Sequence, residues 1–317
     1  MSVTMLALAR FTLKGPYQAA LVVGLLAVLA VFIPPMSSNT FLGLIAGSVC
    51  MMLSCCLVGL VILTQGSVSG LKAIAVSILG ITLVAWILFN TPELGLVTGM
   101  VQWLPVILLS QTLRSSKSLS LTMLLGVLLG AMAILLQYLV WDEMEAEMIA
   151  QAVQRMSQTE QLAPGVIDQS IEWVRLFVLA IVAMGYLTCV VIVLIARWMQ
   201  ASLAESRGFG QEFRALSLGK PAAVAALLLM LLSFWVQQPW IISLMFLMMI
   251  AFMFQGIAVI HSKLESHKKA RFMLVFYYIL LIVLMRQVVA LTAITGVLDN
   301  WLVFRKKPVK PNDENEL

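Results

Sequence analysis

Residues 197–220 read RWMQASLAESRGFGQEFRALSLGK, a charged segment with two glycines near its centre. Apolar stretches flank it on both sides, at residues 174–196 and 221–235. Segments of this kind join two membrane-spanning helices on the side of the bilayer where arginine and lysine collect. The segment therefore predicts a helical membrane protein in which residues 197–220 form a cytoplasmic loop.

The composition agrees with a protein that is surrounded by lipid. Of the 317 residues, 62% are hydrophobic and 11% are charged, whereas soluble domains carry about 25% charged residues. So few polar side chains would not cover a water-soluble globule of this length. The net charge of +5 lies mostly in short loops, which fits the positive-inside bias of membrane proteins better than nucleic-acid binding. We expect the lipid bilayer, and no nucleic acid, as a partner.

The apolar runs predict an all-α, polytopic bundle with about ten membrane spans, and eight or nine are the alternatives. About 20 apolar residues are needed to cross a hydrocarbon core of ~30 Å. Eight predicted spans are single runs, at residues 17–33, 41–63, 71–89, 94–113, 119–141, 174–196, 221–235 and 240–260. Pro34 and Pro35 are expected to end the first span, and Pro105 interrupts the fourth.

The last apolar stretch, residues 272–303, is too long for one span and contains Arg286. We divide it around Arg286 into two short crossings, because one long helix would place the basic residues 305–310 outside the cell. Both termini are then cytoplasmic. The sequence predicts one transmembrane domain over residues 1–307, followed by a polar, proline-containing tail at 308–317 that we expect to be disordered.

The acidic segment 142–172 holds seven of the fifteen acidic residues and is predicted to be extracytoplasmic. Apolar residues recur there every three or four positions: Trp141, Met144, Met148, Ala152 and Met156. This spacing predicts one amphipathic helix, which we expect to end near Pro164. A further helix is predicted to begin around Val166 and to run into the sixth span.

Four polar residues in apolar surroundings are candidates for binding a ligand. Arg286 costs about 2.5–3.5 kcal/mol in the hydrocarbon core, so it either faces an internal cavity and binds an anion or marks the outer turn between the last two helices. Gln102, Gln137 and Gln255 either join helices by hydrogen bonds or bind a ligand. Because Asp299 shortly precedes the basic C-terminal residues, we expect it to pair with Arg305 or with a loop residue.

Motifs of the common enzyme classes are missing from the sequence. It contains no Walker loop, no HExxH and no GxSxG motif. Its cysteines all fall within apolar runs, where they act as small buried side chains: Cys50, Cys55, Cys56 and Cys189. We therefore expect no cofactor, no metal and no enzymatic activity.

The cytoplasmic loop contains a glycine turn, Gly208–Gly210, followed by a short amphipathic element. It is either a connector that anchors to anionic headgroups or a docking surface for a cytoplasmic or membrane protein. The docking candidates are Gly208, Phe209, Gly210, Glu212, Phe213 and Arg214.

Three short motifs resemble the YybS-like family of predicted bacterial membrane proteins. They are GFGQEFRALSLGK at 208–220, FQGIAVIHSKL at 254–264 and GVLDNWLVFRKK at 296–307. That family carries a domain of unknown function and is distantly similar to the S components of energy-coupling-factor vitamin transporters. The resemblance implies the bacterial inner membrane, a helical bundle around a small-molecule pocket and a membrane partner. The chain departs from an S component in having more than six predicted spans and no residue that matches a vitamin site.

Two functions remain as hypotheses. A small-molecule-binding or transport-related protein should contain a closed polar cavity near the midplane, reached by Arg286 or by the glutamines. A non-enzymatic scaffold that recruits a partner should instead have a solid apolar bundle and an ordered cytoplasmic surface.

Overall fold

A computed structural model describes residues 3–140, 144–157, 164–206, 208–265, 267–302 and 304–305. Within this part of the chain all regular secondary structure is helical, as predicted. The helices are α1 (Val3–Thr12), α2 (Pro16–Met36), α3 (Thr40–Gln65), α4 (Ser67–Phe89), α5 (Glu93–Thr98), α6 (Leu104–Ser116), α7 (Leu119–Val140), α8 (Met144–Ser157), α9 (Pro164–Leu203), α10 (Gly208–Arg214), α11 (Lys220–Val236), α12 (Pro239–Leu264), α13 (Ala270–Val283) and α14 (Met285–Leu302).

Among the described residues, seven helical segments are long and apolar enough to cross a membrane. They are Pro16–Met36, Thr40–Gln65, Ser67–Ile87, Glu93–Ser116, Leu119–Val140, Gln169–Leu203 and Pro239–Leu264. Large apolar side chains cover the outer surfaces of the helices, and Leu139, Phe234 and Trp235 are exposed by 83%, 82% and 88%. Soluble proteins rarely expose so much contiguous apolar surface, so the chain is a membrane protein.

Each of the ten predicted spans coincides with a helix, but three of these helices differ from an ordinary span. Helices α11 and α13 have only 17 and 14 residues, fewer than the ~20 that a crossing needs. Helix α14 has 18 residues and carries both Arg286 and Asp299. Length and composition alone therefore support seven spans.

The predicted division of residues 272–303 is present in the structure. Leu284 leaves helical geometry, with φ of −109° and ψ of 41°, between α13 and α14. The hydroxyl oxygens of Tyr277 and Thr292 lie 2.9 Å apart, whereas 15 residues of unbroken helix would span about 22 Å. The chain therefore folds back at Leu284, two residues before Arg286.

One predicted helix end was wrong. Pro34 and Pro35 do not end α2, which continues to Met36 because the amide of Ser37 donates to the carbonyl of Ile33 and closes the last turn. The amphipathic helix α8 is described as far as Ser157, so its predicted end near Pro164 stays a prediction, and α9 begins at Pro164, two residues before the start predicted around Val166. Residues 158–163 lie outside the described part, as do Trp141 and the side chains of Met144, Ala152 and Met156.

Pro105 interrupts the fourth span without breaking it. A π-helical turn, Gly99–Trp103, lies directly before the proline and joins α5 to α6. In this turn the amide of Leu104 donates to the carbonyl of Gly99, five residues back. Proline then occupies the first turn of α6, directly after the π-helical turn.

The backbone contacts divide the chain into two units. Unit 1 comprises Met1–Ala133 and Met184–Glu212, and unit 2 comprises Ile134–Ala183 and Phe213–Leu317. Each unit has a well-enclosed helix: 56% of the apolar window of α3 is buried in unit 1, and 72% of that of α12 in unit 2. The polar clusters described below lie at the C-terminal parts of these two helices. The single domain expected over 1–307 stays a prediction, and the tail 308–317 lies outside the described residues.

Candidate functional site

In unit 2, helices α12 and α14 approach each other so closely that their backbones touch. A Cβ atom on Gly256 would collide with the carbonyl oxygen of Thr292, and one on Gly296 would collide with the carbonyl oxygen of Phe252. Only glycine permits such an approach. The crossing brings together two of the motifs that the sequence analysis singled out.

Gln255 lies next to this crossing and is completely buried, with 0% exposure. Its Oε1 accepts a hydrogen bond of 2.9 Å from the amide of Leu218, and its Nε2 donates one of 3.1 Å to Asp299. Asp299 is 7% exposed and forms an ion pair with Arg305. The guanidinium of Arg305 also donates to the carbonyl of Arg214 at 2.7 Å.

These contacts form what we call the three-motif network, which consists of Arg214, Leu218, Gln255, Asp299 and Arg305. Each of the three motifs that carry the family resemblance contributes to it, although they are separated by up to 91 residues between Arg214 and Arg305. The predicted pairing of Asp299 with Arg305 is confirmed. Because buried polar groups are costly without partners, this closed set of bonds fixes the loop before α11 against α12 and α14.

A second layer of contacts surrounds the network. Arg214 forms an ion pair of 2.6 Å with Glu265, the residue after α12. The ring of Phe213 packs edge-on against that of His261, with centroids 5.7 Å apart. His261 Nε2 lies 2.8 Å from the hydroxyl of Tyr278. Arg214 therefore lies beside the C-terminal ends of both α12 and α14.

Unit 2 also contains a cavity of about 390 Å³, here called the apolar cavity. It is lined by α11, α12 and α14. The lining residues are Ala226, Leu227, Met230, Met245, Met248, Met249, Phe252, Ala290, Ala293, Ile294, Val297 and Leu298. The lining is apolar throughout, and four of its members are methionines.

Unit 1 contains a pocket of different chemistry, here called the basic pocket. It has a volume of about 340 Å³ and is lined by Leu63, Leu113, Arg114, Lys117, Arg197, Gln200 and Glu212. Arg197 donates to Glu212 from Nε at 3.0 Å and forms an ion pair with it through Nη2. Three cations and one carboxylate thus surround one opening.

Side chains in the basic pocket also hold the end of α3. Arg114 Nη1 donates to the carbonyl of Ile62 at 2.8 Å, and Gln200 Nε2 donates to that of Leu63 at 2.9 Å. These carbonyls lie in the last turn of the helix, and that of Ile62 also accepts a hydrogen bond of 3.0 Å from the amide of Gly66. Gly66, with φ of 103°, leaves the space in which the Arg114 guanidinium packs.

The four predicted ligand residues are not brought together. Arg286 is exposed in the first turn of α14, and Gln102 is exposed in the π-helical turn. Gln137 is half-buried near the end of α7, and only Gln255 is fully buried. None of them lines the apolar cavity. Their ligand role stays a prediction, and the amide group of Gln255 is already bonded within the chain.

The predicted docking residues contact their own chain. Gly208, Phe209 and Gly210 are half-buried in α10. Beyond them in the same helix, Glu212 binds Arg197 and Arg214 binds Glu265, so Glu212 and Arg214 do not pair with each other. A docking role for this helix stays a prediction.

Sequence reasoning missed the basic pocket and the apolar cavity. Arg197 and Glu212 both lie in the segment 197–220, but a spacing of 15 residues across a loop gives no periodic signal. Within the described residues, no group of three or more His, Cys, Asp or Glu side chains is placed to hold a metal ion. Cys55 and Cys56 are buried as predicted.

The polar groups of the three-motif network satisfy one another, the apolar cavity offers a volume without polar groups, and the basic pocket offers positive charge. The network holds helices together, whereas the apolar cavity can accept an apolar ligand and the basic pocket an anionic one.

No family model, curated protein or solved structure matches the chain.

Proposed function

We propose that the chain is a multi-pass protein of the bacterial inner membrane that binds an apolar small molecule in the cavity of unit 2, in a transport-related role. The observation that carries this proposal is the apolar cavity of about 390 Å³. Ligand pockets in proteins have volumes of about 300–1,000 Å³ and are mostly apolar. The resemblance to the YybS-like family supports a small-molecule role. The cavity differs from the closed polar cavity expected of a transport-related protein, because its lining is apolar and does not include Arg286 or the candidate glutamines.

The lining of the apolar cavity selects the class of ligand. It offers hydrocarbon and thioether groups and no charged side chain. A polar ligand would lose its hydrogen bonds to water there without replacement, which costs several kcal/mol. We therefore expect the bound group to be a hydrocarbon chain or ring. Methionine side chains adapt to irregular shapes, so the four methionines suit a ligand that is flexible or variable.

Helix α11 leaves room for such a ligand. Of its 17 residues, only Ala223 is buried, so α11 packs loosely beside α12 and α14. Because most side chains of α11 are exposed, we expect its side of the cavity to face the surrounding lipid. A ligand that partitions into the bilayer would reach the cavity from there.

The proposed topology has ten spans and cytoplasmic termini. It requires α12 and α14 to run in the same direction, from the outside to the cytoplasm. The positions of Arg214, Glu265 and Arg305 support this, because the contacts among them place the C-terminal ends of both helices beside one residue. Reporter fusions at Leu317 test the topology, and a C-terminus outside the cytoplasm would contradict it.

The alternative function, a membrane scaffold, has one specific observation in its favour. Arg214, His261 and Glu265 form an ordered polar surface at the ends of α10 and α12. A scaffold would present this surface to a protein partner. In that case the partner should be lost from the purified complex after charge reversal at Glu265, while the apolar cavity should stay empty.

Native mass spectrometry of the purified full-length protein, without added ligand, tests the cavity. We compare Ala226→Phe, at a half-buried cavity residue, with Ala225→Phe, at its exposed neighbour on the same helix. The wild type and Ala225→Phe should retain a bound apolar molecule, and Ala226→Phe should lose it because the ring fills the cavity. Equal retention by both variants, or no bound molecule in the wild type, contradicts the proposal.

A further inference from the structure

The basic pocket of unit 1 carries more positive than negative charge. Arg114, Lys117 and Arg197 are its cations, and Glu212 is its one carboxylate. Arg197 is neutralised by Glu212, since the two form a bidentate ion pair with side chains that are 19% and 34% exposed. Arg114 and Lys117, which are both exposed, are therefore the cations of the pocket that no carboxylate of its lining neutralises.

Arg114 and Lys117 have N–H groups that are available to donate to a ligand. A guanidinium has five N–H groups, and Arg114 gives one to the neutral carbonyl of Ile62. Lys117 follows the last turn of α6 with φ of 52°, and no described residue forms an ion pair with its ammonium. The C-terminal end of α3 supplies about half a negative charge, which is less than two cations require.

The pocket also has the right composition for the edge of a bilayer. Leu63 and Leu113, near the ends of α3 and α6, are 5% and 4% exposed and line it beside the charged groups. Charged and apolar groups thus meet where two apolar helices end. Basic pockets between helices at this level bind anionic headgroups, and arginine matches the geometry of a phosphate with two parallel hydrogen bonds.

We propose that the basic pocket binds a phosphate group through Arg114 and Lys117. Arg197 stays ion-paired with Glu212 and could donate to the phosphate only if that pair opened. The phosphate belongs either to an anionic lipid headgroup or to a water-soluble phosphorylated molecule. Both sources share the chemistry that the pocket recognises. The site shares no residue with the apolar cavity, and the proposal does not depend on the function proposed above.

Three variants separate binding from a structural role. Lys117→Gln removes a cation that makes no described side-chain contact, so its loss should leave the fold unchanged. Lys72→Gln removes an exposed lysine on α4, which is also in unit 1 and outside the pocket, and is the matched control. Glu212→Gln removes the carboxylate that competes with the phosphate for Arg197.

The first measurement is calorimetric titration of the full-length protein in neutral detergent with glycerol 1-phosphate. Lys117→Gln should weaken binding about tenfold or more, because a hydrogen bond to a charged group contributes about 1.5–3 kcal/mol. Lys72→Gln should leave the affinity unchanged, and Glu212→Gln should raise it. An increase is expected because the loss of the Glu212 charge removes a repulsion and leaves Arg197 able to donate to the phosphate.

The second measurement is native mass spectrometry with added phosphatidylglycerol or phosphatidylcholine. If glycerol 1-phosphate fails to bind but phosphatidylglycerol is retained with the same order of variants, the phosphate is that of a lipid headgroup. If glycerol 1-phosphate binds in that order and phosphatidylglycerol is not retained, the source is a soluble molecule. The proposal is overturned if neither probe binds, if Lys117→Gln equals Lys72→Gln, or if Glu212→Gln weakens binding.

Discussion

Two arginine–carboxylate pairs, one in each unit, differ in how completely their neighbours satisfy them. In unit 2, Arg305 and Asp299 have side chains that are 14% and 4% exposed, and Gln255 and the Arg214 carbonyl complete their hydrogen bonds. In unit 1, Arg197 and Glu212 are more exposed and lie beside an open pocket with two further cations. The difference teaches that the first pair holds the fold together, whereas the second is placed to respond to a ligand.

The largest expected effect concerns the helix crossing that supports the buried pair. Gly296→Ala or Gly256→Ala should lower the free energy of unfolding by at least about 3 kcal/mol, because the added methyl group meets backbone atoms that cannot move aside. Thermal unfolding in detergent, followed by tryptophan fluorescence, measures this. Gly185→Ala is the control, since no atom lies within 4 Å of its added Cβ. A small loss of unfolding free energy for Gly296→Ala would contradict the close approach of α12 and α14.

The next effect compares the two carboxylates directly. Asp299→Asn should cost about 3 kcal/mol of unfolding free energy, because it leaves Arg305 as a buried charge without its partner. Glu212→Gln should cost less, about 1 kcal/mol, because the pair is more exposed than Asp299 and Arg305 and water partly screens it. The same unfolding assay measures both. If both substitutions lowered the unfolding free energy equally, the Arg197–Glu212 pair would be as important for the fold as the Arg305–Asp299 pair.

A smaller effect separates two glutamines that the sequence alone does not distinguish. Gln255→Leu should cost about 1–3 kcal/mol, because it leaves the buried amide of Leu218 without an acceptor. Gln102→Leu should change the unfolding free energy by less than about 0.5 kcal/mol, because Gln102 is exposed. If Gln255→Leu is harmless, then the three-motif network does not hold the loop before α11.

The smallest effect is expected at Arg286. Because its side chain is exposed and lies outside the apolar cavity, Arg286→Gln should change the unfolding free energy by less than about 0.5 kcal/mol. It should also leave the bound molecule in the native mass spectrum. Loss of that molecule would restore the interpretation in which Arg286 binds an anionic ligand.

Features set by local sequence were predictable. Apolar run lengths located the long spans, and excess length together with one arginine predicted a break around Arg286, which the structure has at Leu284. The pairing of Asp299 with Arg305 was also predictable, since only six residues separate them. Each of these depends on neighbours along the chain, for which hydropathy and spacing are direct guides.

Features set by long-range packing were not predictable. Gln102 and Gln255 occupy similar apolar surroundings in the sequence, yet one is exposed and the other is fully buried. What separates them is the position of Leu218 and Asp299, which are 37 and 44 residues from Gln255. The extension of α2 through Pro34 and Pro35 was missed for a related reason. A Cβ on Gly47 of α3 would lie 2.7 Å from the carbonyl of Ala30, so a neighbouring helix covers the group that lacks its usual amide partner.

The discontinuity of unit 1 has a consequence for biosynthesis. The unit is formed by Met1–Ala133 and Met184–Glu212, and a Cβ on Gly59 would lie 3.0 Å from that of Ala196. During translation helices α1 to α6 and the first part of α7 are therefore made before their partner, and the Gly59 surface of α3 stays uncovered until the second half of α9 is made. A nascent chain stalled before residue 184 would be a substrate for membrane quality control, and one stalled after Glu212 would already contain a complete unit 1.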